Sequence, residues 1–144
     1  MGNLTTNISR HELECNCGEC DVNIQDHEPI IQVVQNVCDV FAEIFGVKKV
    51  VLIITSPARC YEYNRIPVAE GGPGSDDQSQ HPRCNAIDFI ILVNGKQVNP
   101  ERIHAYLCTR HPHKYGFGLY KGKGKSKGFN HADTRAAEAR WVAS

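Results

Sequence analysis

The chain has 144 residues, enough for one domain with its own core, and its 41% hydrophobic and 22% charged residues are ordinary for a globular protein. Lys and Arg together number 16, as do Asp and Glu, so the formal net charge is zero and a large basic field for attracting nucleic acid is excluded. No apolar run is long enough to span a bilayer, and the opening Met-Gly-Asn-Leu-Thr-Thr-Asn has neither the basic nor the apolar region of a secretion signal. A monomer made and folded in a cytoplasm, with no membrane or nucleic-acid partner, is expected.

In chain order, the first element is a short helix at 9–14, capped by Ser9 with Glu12 three residues on, the capping-box pattern. A turn rich in cysteine follows, Cys15-Asn16-Cys17-Gly18-Glu19-Cys20, and residues 1–27 read as an N-terminal docking segment. Apolar residues from Ile30 to Phe45 recur at three- and four-residue steps, with Pro29 in the first turn and Gly46 past the end, which predicts an amphipathic helix over 28–45. Residues 50–55 are a β-branched run stopped by Ser56-Pro57 and read as a buried strand. Residues 61–80 are rich in Gly, Pro, Asp, Gln and Ser and read as a long loop, a length that usually marks function or mobility.

A second apolar strand is expected over 86–93, closed by the turn signal Asn94-Gly95. Asn99-Pro100-Glu101 opens a helix that runs to about 109. Two strands, 115–120 and 129–134, are joined by a Gly/Lys turn. The order of elements predicts a single α+β domain over 1–144, a small antiparallel-rich sheet flanked by helices.

His81, Asp88 and His131 are candidate ligands of a metal. Zinc takes imidazole and carboxylate ligands, and a catalytic site leaves one of four positions open to water. Spacing alone also fits a surface histidine and a turn aspartate. Asp88, however, interrupts the run Ala86-Ile87-Asp88-Phe89-Ile90-Ile91, and a carboxylate in a buried strand costs several kcal/mol unless paired or bound to a metal.

Ser79-Gln80-His81-Pro82-Arg83-Cys84-Asn85-Ala86-Ile87-Asp88 resembles the Ser-x-His-x-x-Gly-x-Ala-x-Asp motif of the M15 zinc peptidases. These are the D-Ala-D-Ala carboxypeptidases and related phage endolysins, whose fold is shared with the hedgehog signalling domain. Thr55-Ser56-Pro57-Ala58-Arg59-Cys60, with Tyr63-Asn64-Arg65, is similar to the family's Thr-Ser-Gly-Tyr-Arg-Cys and its following His-Asn-Arg. Gly116-Phe117-Gly118-Leu119-Tyr120 resembles its Gly-x-Gly-x-Tyr strand, and Phe129-Asn130-His131-Ala132-Asp133-Thr134-Arg135 its Phe-x-His-x-Asp-x-Arg ending, with Ala139-Arg140-Trp141 after it. His11-Glu12-Leu13-Glu14-Cys15 looks like the branch common in phage and prophage genomes.

The resemblance implies Zn2+ on His81, Asp88 and His131, Arg59 at the substrate carboxylate or developing oxyanion, Ser79 at the substrate, and hydrolysis of peptidoglycan stem peptides. Two departures matter. The motif glycine is Cys84, which is strained if the position needs positive φ and close to the metal if it only needs room. Many M15 enzymes carry a catalytic Glu three residues before the last ligand, where this chain has Gly128. Asp133 shares a strand face with His131 and is either the base, a ligand-orienting group, or an ion-pair partner of Arg135 or Arg59. Two functions therefore stand, a zinc peptidase and a zinc-binding domain without turnover, for instance in a phage particle.

The chain has seven cysteines, an odd number that argues against a complete disulfide framework. Cys15, Cys17 and Cys20 fit plain thiols, a disulfide pair or part of a second zinc site completed by Cys38 or His11, and Cys60 and Cys84 flank the long loop as a possible pair. His111-Pro112-His113 reads as an exposed turn. Gly122-Lys123-Gly124-Lys125-Ser126 lacks the first glycine and following helix of a phosphate loop, so the Lys-rich stretch reads as a solvated hairpin tip.

Overall fold

A computed structural model describes residues 4–25, 28–59, 61–70, 72–75 and 79–143. Its centre is a six-stranded sheet built from β1 (Val51–Ser56), β2 (Ala86–Val93), β3 (Lys96–Gln97), β4 (Gly116–Lys121), β5 (Gly128–Asp133) and β6 (Ala139–Ala143). The strand order is β1-β2-β5-β4-β6, with β3 paired to β2. Every pairing is antiparallel except β4 with β6. The α+β class and the antiparallel-rich sheet expected from the sequence are what the chain forms. Asn94 (φ 50°) and Gly95 (φ 79°) make the two-residue turn between β2 and β3, both in the left-handed region that this hairpin type requires.

Helix α1 (Pro29–Ile44) and helix α3 (Pro100–Arg110) form a layer on one face of the sheet. Ile30, Val34, Val37 and Phe41 of α1 and Ile103 and Leu107 of α3 are buried with Ile87, Phe89 and Ile91 of β2, Phe117 of β4 and Ala132 of β5. Asn99 caps α3 by accepting from the Glu101 N–H at 2.9 Å, as its sequence position predicts. Alternate strand residues turn to the opposite face, and these build the site. On β5 they are Phe129, His131 and Asp133, and on β4 they are Gly116, Gly118 and Tyr120. Among the described residues, no helix is long and apolar enough to cross a membrane.

His111 closes α3 and is buried rather than exposed in a turn. Its ring lies against Tyr115 and Phe117, and neither ring nitrogen has a partner among the described residues. Burial, and then Arg110, Lys114 and Arg140, push its pKa below 6.5. The unfolded chain thus takes up a proton that the folded chain refuses. Stability is full above about 6.5 and is lost as pH falls through the lowered folded value. His111→Phe, its unfolding followed in urea from pH 8 to pH 5, is expected to lose less stability than wild type over that range. Equal pH slopes would show that His111 titrates normally.

Residues 61–80 are not a bare loop: they hold a short helix α2 (Tyr61–Arg65) and a 3-10 turn at Val68–Glu70. Another 3-10 turn, His81–Arg83, leads into β2 and ends at Cys84, which is left-handed with φ 58° and ψ 32°. This is the positive-φ case, so glycine is the unstrained residue there. Cys84 packs partly against the core and does not line the site. In reducing buffer Cys84→Gly is expected to stabilise by about 0.5–1 kcal/mol, a rise of a few degrees in Tm. Cys60 lies outside the described residues, so the Cys60–Cys84 pairing is not described; Cys84 carries a thiol. At the N-terminus, Ser9 and Glu12 form the expected capping box, with Glu12 accepting from the Ser9 N–H at 2.8 Å over the 3-10 turn Arg10–Leu13.

Candidate metal centre

The 3-10 turn at 81–83 and the strands β2 and β5 bring three side chains together. Asp88 and His131 are directly paired residues of neighbouring antiparallel strands, so their side chains emerge on the same face. His81 reaches them from the turn that precedes β2. One ligand atom each of His81, Asp88 and His131 lies within 4.8 Å of the others. His81 Nε2 is 3.3 Å and His131 Nδ1 is 2.7 Å from Asp88 Oδ1.

The outer nitrogens are already engaged. His81 Nδ1 is 2.6 Å from the Pro57 carbonyl, which can only accept, so Nδ1 carries the proton and Nε2 presents its lone pair inward. His131 Nε2 is 2.6 Å from Asp133 Oδ2, which leaves Nδ1 for the shared point. Outer hydrogen bonds of this kind fix tautomer and ring orientation at metal-bound histidines. His81 Nε2 is a buried nitrogen without a hydrogen-bond partner, although it faces Asp88. A group bound between them would satisfy it, and two ligands of a tetrahedral zinc stand about 3.3 Å apart. The donor set and its spacing fit zinc.

The ionisation of Asp88 and His81 agrees with that fit, because a metal ligand must be deprotonated. Burial alone would raise the Asp88 pKa, but His81 and His131 outweigh it and hold the carboxylate well below its usual range. Burial pushes His81 down, against the pull of Asp88. Burial also works against a proton on His131, but its bonds to Asp133 and Asp88 win and hold it up.

These residues lie at one side of a cleft of about 700 Å³. Arg59 lines it, 5% exposed, with its Nε unpartnered among the described residues. Burial lowers its pKa, while Asp88, Tyr63 and Tyr120 favour the charge. Its backbone is tied to the 3-10 turn at 81–83, since the Arg59 N–H donates to the His81 carbonyl at 3.2 Å. Ser79 lines the cleft too, and its hydroxyl accepts from the His81 N–H at 3.3 Å. Asp133, by contrast, is fully buried behind His131. Its Oδ1 accepts from Arg135 Nε at 2.8 Å and its Oδ2 from Arg135 Nη2 at 2.6 Å. Of the roles open to Asp133, the geometry displays the bond to His131 and the pair with Arg135.

A family model described as Peptidase M15 matches residues 6–133. The chain belongs to the peptidase M15 family. No curated protein and no solved structure matches it significantly. M15 peptidases are typically zinc-dependent, and in this M15 chain the groups that would hold the ion are His81, Asp88 and His131.

The family's Gly-x-Gly strand has a steric explanation in this member. A Cβ on Gly116 would lie 2.5 Å from Asp133 Oδ1, and one on Gly118 would lie 2.4 Å from the Trp141 ring. Gly116 therefore makes room for the Asp133–Arg135 pair. Gly118 lets Trp141 of β6 lie beside His131, with ring centroids 5.0 Å apart. The wall continues through the stacked rings of Tyr120 and Phe129, 4.5 Å apart, and Tyr120 accepts from Trp141 Nε1 at 3.0 Å. Sequence reasoning found Trp141 only within a motif and did not anticipate this wall. The period-two alternation of Phe129, His131 and Asp133 was the available signal. Nor did it anticipate that β6 would run parallel to β4.

Gly128, where many M15 enzymes have Glu, has φ 88°, and a Cβ there would lie 1.9 Å from the Tyr120 carbonyl oxygen. The position excludes any side chain. Gly128→Glu is therefore expected to destabilise by about 2–4 kcal/mol and to leave hydrolysis no faster than wild type. A folded variant with raised turnover would contradict this.

Proposed function

We propose that this chain is a zinc-dependent peptidase that hydrolyses amide bonds in peptidoglycan stem peptides, in the manner of a DD-carboxypeptidase or an endolysin. The observation that carries the reading is the convergence of His81 Nε2, His131 Nδ1 and Asp88 Oδ1 beside a cleft that Arg59 also lines. Zinc held there would polarise the scissile carbonyl and lower the pKa of a water molecule.

The chain's own residues supply the rest. Arg59 is permanently charged and forks onto carboxylates, so it would bind a peptide carboxylate or the oxyanion that develops during attack. Ser79 offers a hydroxyl at the cleft to a substrate amide. Tyr120, Phe129 and Trp141 give an apolar wall for small side chains. Asp133 acts through His131, holding its ring and tautomer, and Arg135 holds Asp133. A chain made in a cytoplasm would meet peptidoglycan after release or as part of a phage particle.

The test is digestion of purified peptidoglycan from several wall types by zinc-loaded wild type and His81→Ala, with product masses read out. Zinc-dependent release of stem-peptide fragments by wild type alone is expected. One observation favours binding without turnover instead: Asp88 is the one acidic residue among the described residues lining the cleft. Zinc at full occupancy with no product from any wall type would establish that second reading.

A further inference from the structure

A second cluster of metal-ligating side chains lies outside the centre described above. Cys15, Cys17 and Cys20 bring their three sulfurs within 4.8 Å of one another. The loop that carries them is built as a closed knuckle. The Cys15 N–H donates to the Val22 carbonyl at 2.8 Å, Glu14 and Asn23 form an antiparallel bridge, and the Ile24 N–H donates to the Leu13 carbonyl at 3.3 Å. Gly18 turns the tip with φ 74°. Inside the loop, the Glu19 N–H points at Cys17 Sγ from 3.4 Å, and Cys17 Sγ is 3.3 Å from Cys20 Sγ. The sulfur separation is well beyond an S–S bond of about 2.05 Å.

We infer that Cys15, Cys17 and Cys20 form a thiolate site for a soft divalent metal ion, zinc by chemical class, distinct from the His81/Asp88/His131 centre. Three sulfurs supply three corners of the tetrahedron that zinc prefers. The backbone N–H of Glu19 directed at Cys17 Sγ favours a thiolate there. The ion has a structural task. Asn16, between two of the ligands, lines the cleft together with Arg59, and Cys15 beside it is buried. Pinning the knuckle fixes the rim of the cleft on the Arg59 side.

The full chain, without a histidine tag and reduced with a phosphine, should be stripped by chelator and reloaded. Wild type is expected to take up about two Zn2+ per chain, and His81→Ala and Cys17→Ser/Cys20→Ser about one each. With Co2+, a thiolate-to-cobalt charge-transfer band is expected in wild type and in His81→Ala but not in the cysteine variant. Persistence of the band in His81→Ala separates this site from the peptidase reading, whatever hydrolysis is observed. If the cysteine variant does not fold, alkylation of wild type decides. Zn2+ should slow iodoacetamide labelling of Cys17 and Cys20 by at least about tenfold, mapped by mass spectrometry. No charge-transfer band and no protection in the reduced chain would overturn the site, including the case in which Cys17 and Cys20 simply form a disulfide.

Discussion

His81→Ala is expected to lose zinc from the His81/Asp88/His131 centre and to lower hydrolysis by at least about a thousand-fold. Two effects combine. The variant keeps Asp88 and His131 as ligands, but two donors hold zinc far less well than three. The lost imidazole also leaves the Pro57 carbonyl without its 2.6 Å donor, so the segment that carries Arg59 loses one of its ties to the site. The Lewis-acid contribution of a bound metal is several kcal/mol, and a loss of about 4 kcal/mol is a factor of a thousand. The measurement pairs metal content with the rate of product release. Wild-type rates from a zinc-free variant would remove the metal from the reaction. Because His81 is buried, thermal unfolding of the metal-free forms should be compared as well. A cavity the size of an imidazole is expected to cost about 2–3 kcal/mol, too little to explain a thousand-fold change in rate if the fold persists.

Asp133→Asn is expected to have the second-largest effect, mostly on stability and metal affinity. The carboxylate is fully buried and accepts from the Arg135 backbone, from two guanidinium nitrogens and from His131. Asparagine replaces one accepting oxygen with a donor that must face either His131 or Arg135, both donors themselves. Breaking a buried pair on one side costs about 3–5 kcal/mol, and the lower end applies because the Arg135 side chain is 27% exposed and water reaches it. Loss of the group that orients a metal-bound histidine weakens metal binding by about 10–100-fold. Zinc competition against a chromophoric chelator gives the affinity, and turnover at saturating zinc gives the role. If Asp133 positions His131, kcat of the zinc-loaded variant returns to within about tenfold of wild type. If it were the general base, kcat would stay about 10²–10⁴-fold down at full occupancy. The double variant Asp133→Asn/Arg135→Gln should cost less than the sum of its parts, since the two residues form one unit.

The fold was largely legible because its signals are local. The strand Ala86–Val93 coincides with the apolar run, and the helices Pro29–Ile44 and Pro100–Arg110 follow from Pro at the first turn and apolar spacing. The strand Ala139–Ala143 was missed for a physical reason. It is short and half-exposed, and its partner, β4, is a parallel neighbour separated by the β5 hairpin, a long-range pairing without local signature. Helix α2 was masked by its setting in a stretch rich in Gly, Pro and Asp. At the site, Asp88 was conspicuous because an acid in an apolar strand needs a reason. His81 and His131 had motif support only. The engagement of Asp133 with Arg135 and His131 depends on room left by Gly116, which one-dimensional spacing does not reveal.

The direct opposition of Asp88 and His131 across β2 and β5 has a consequence for how the chain finds its fold. Side chains alternate along a strand, so sliding β5 by one residue would send His131 towards the helices and put Asn130 or Ala132 on the cleft face. An ion that bridges Asp88 and His131 can bind only the correct alignment. If zinc binds there as proposed, its capture would discriminate against mis-slid pairings of the central strands, and refolding with zinc present should give a more uniform product than refolding in chelator.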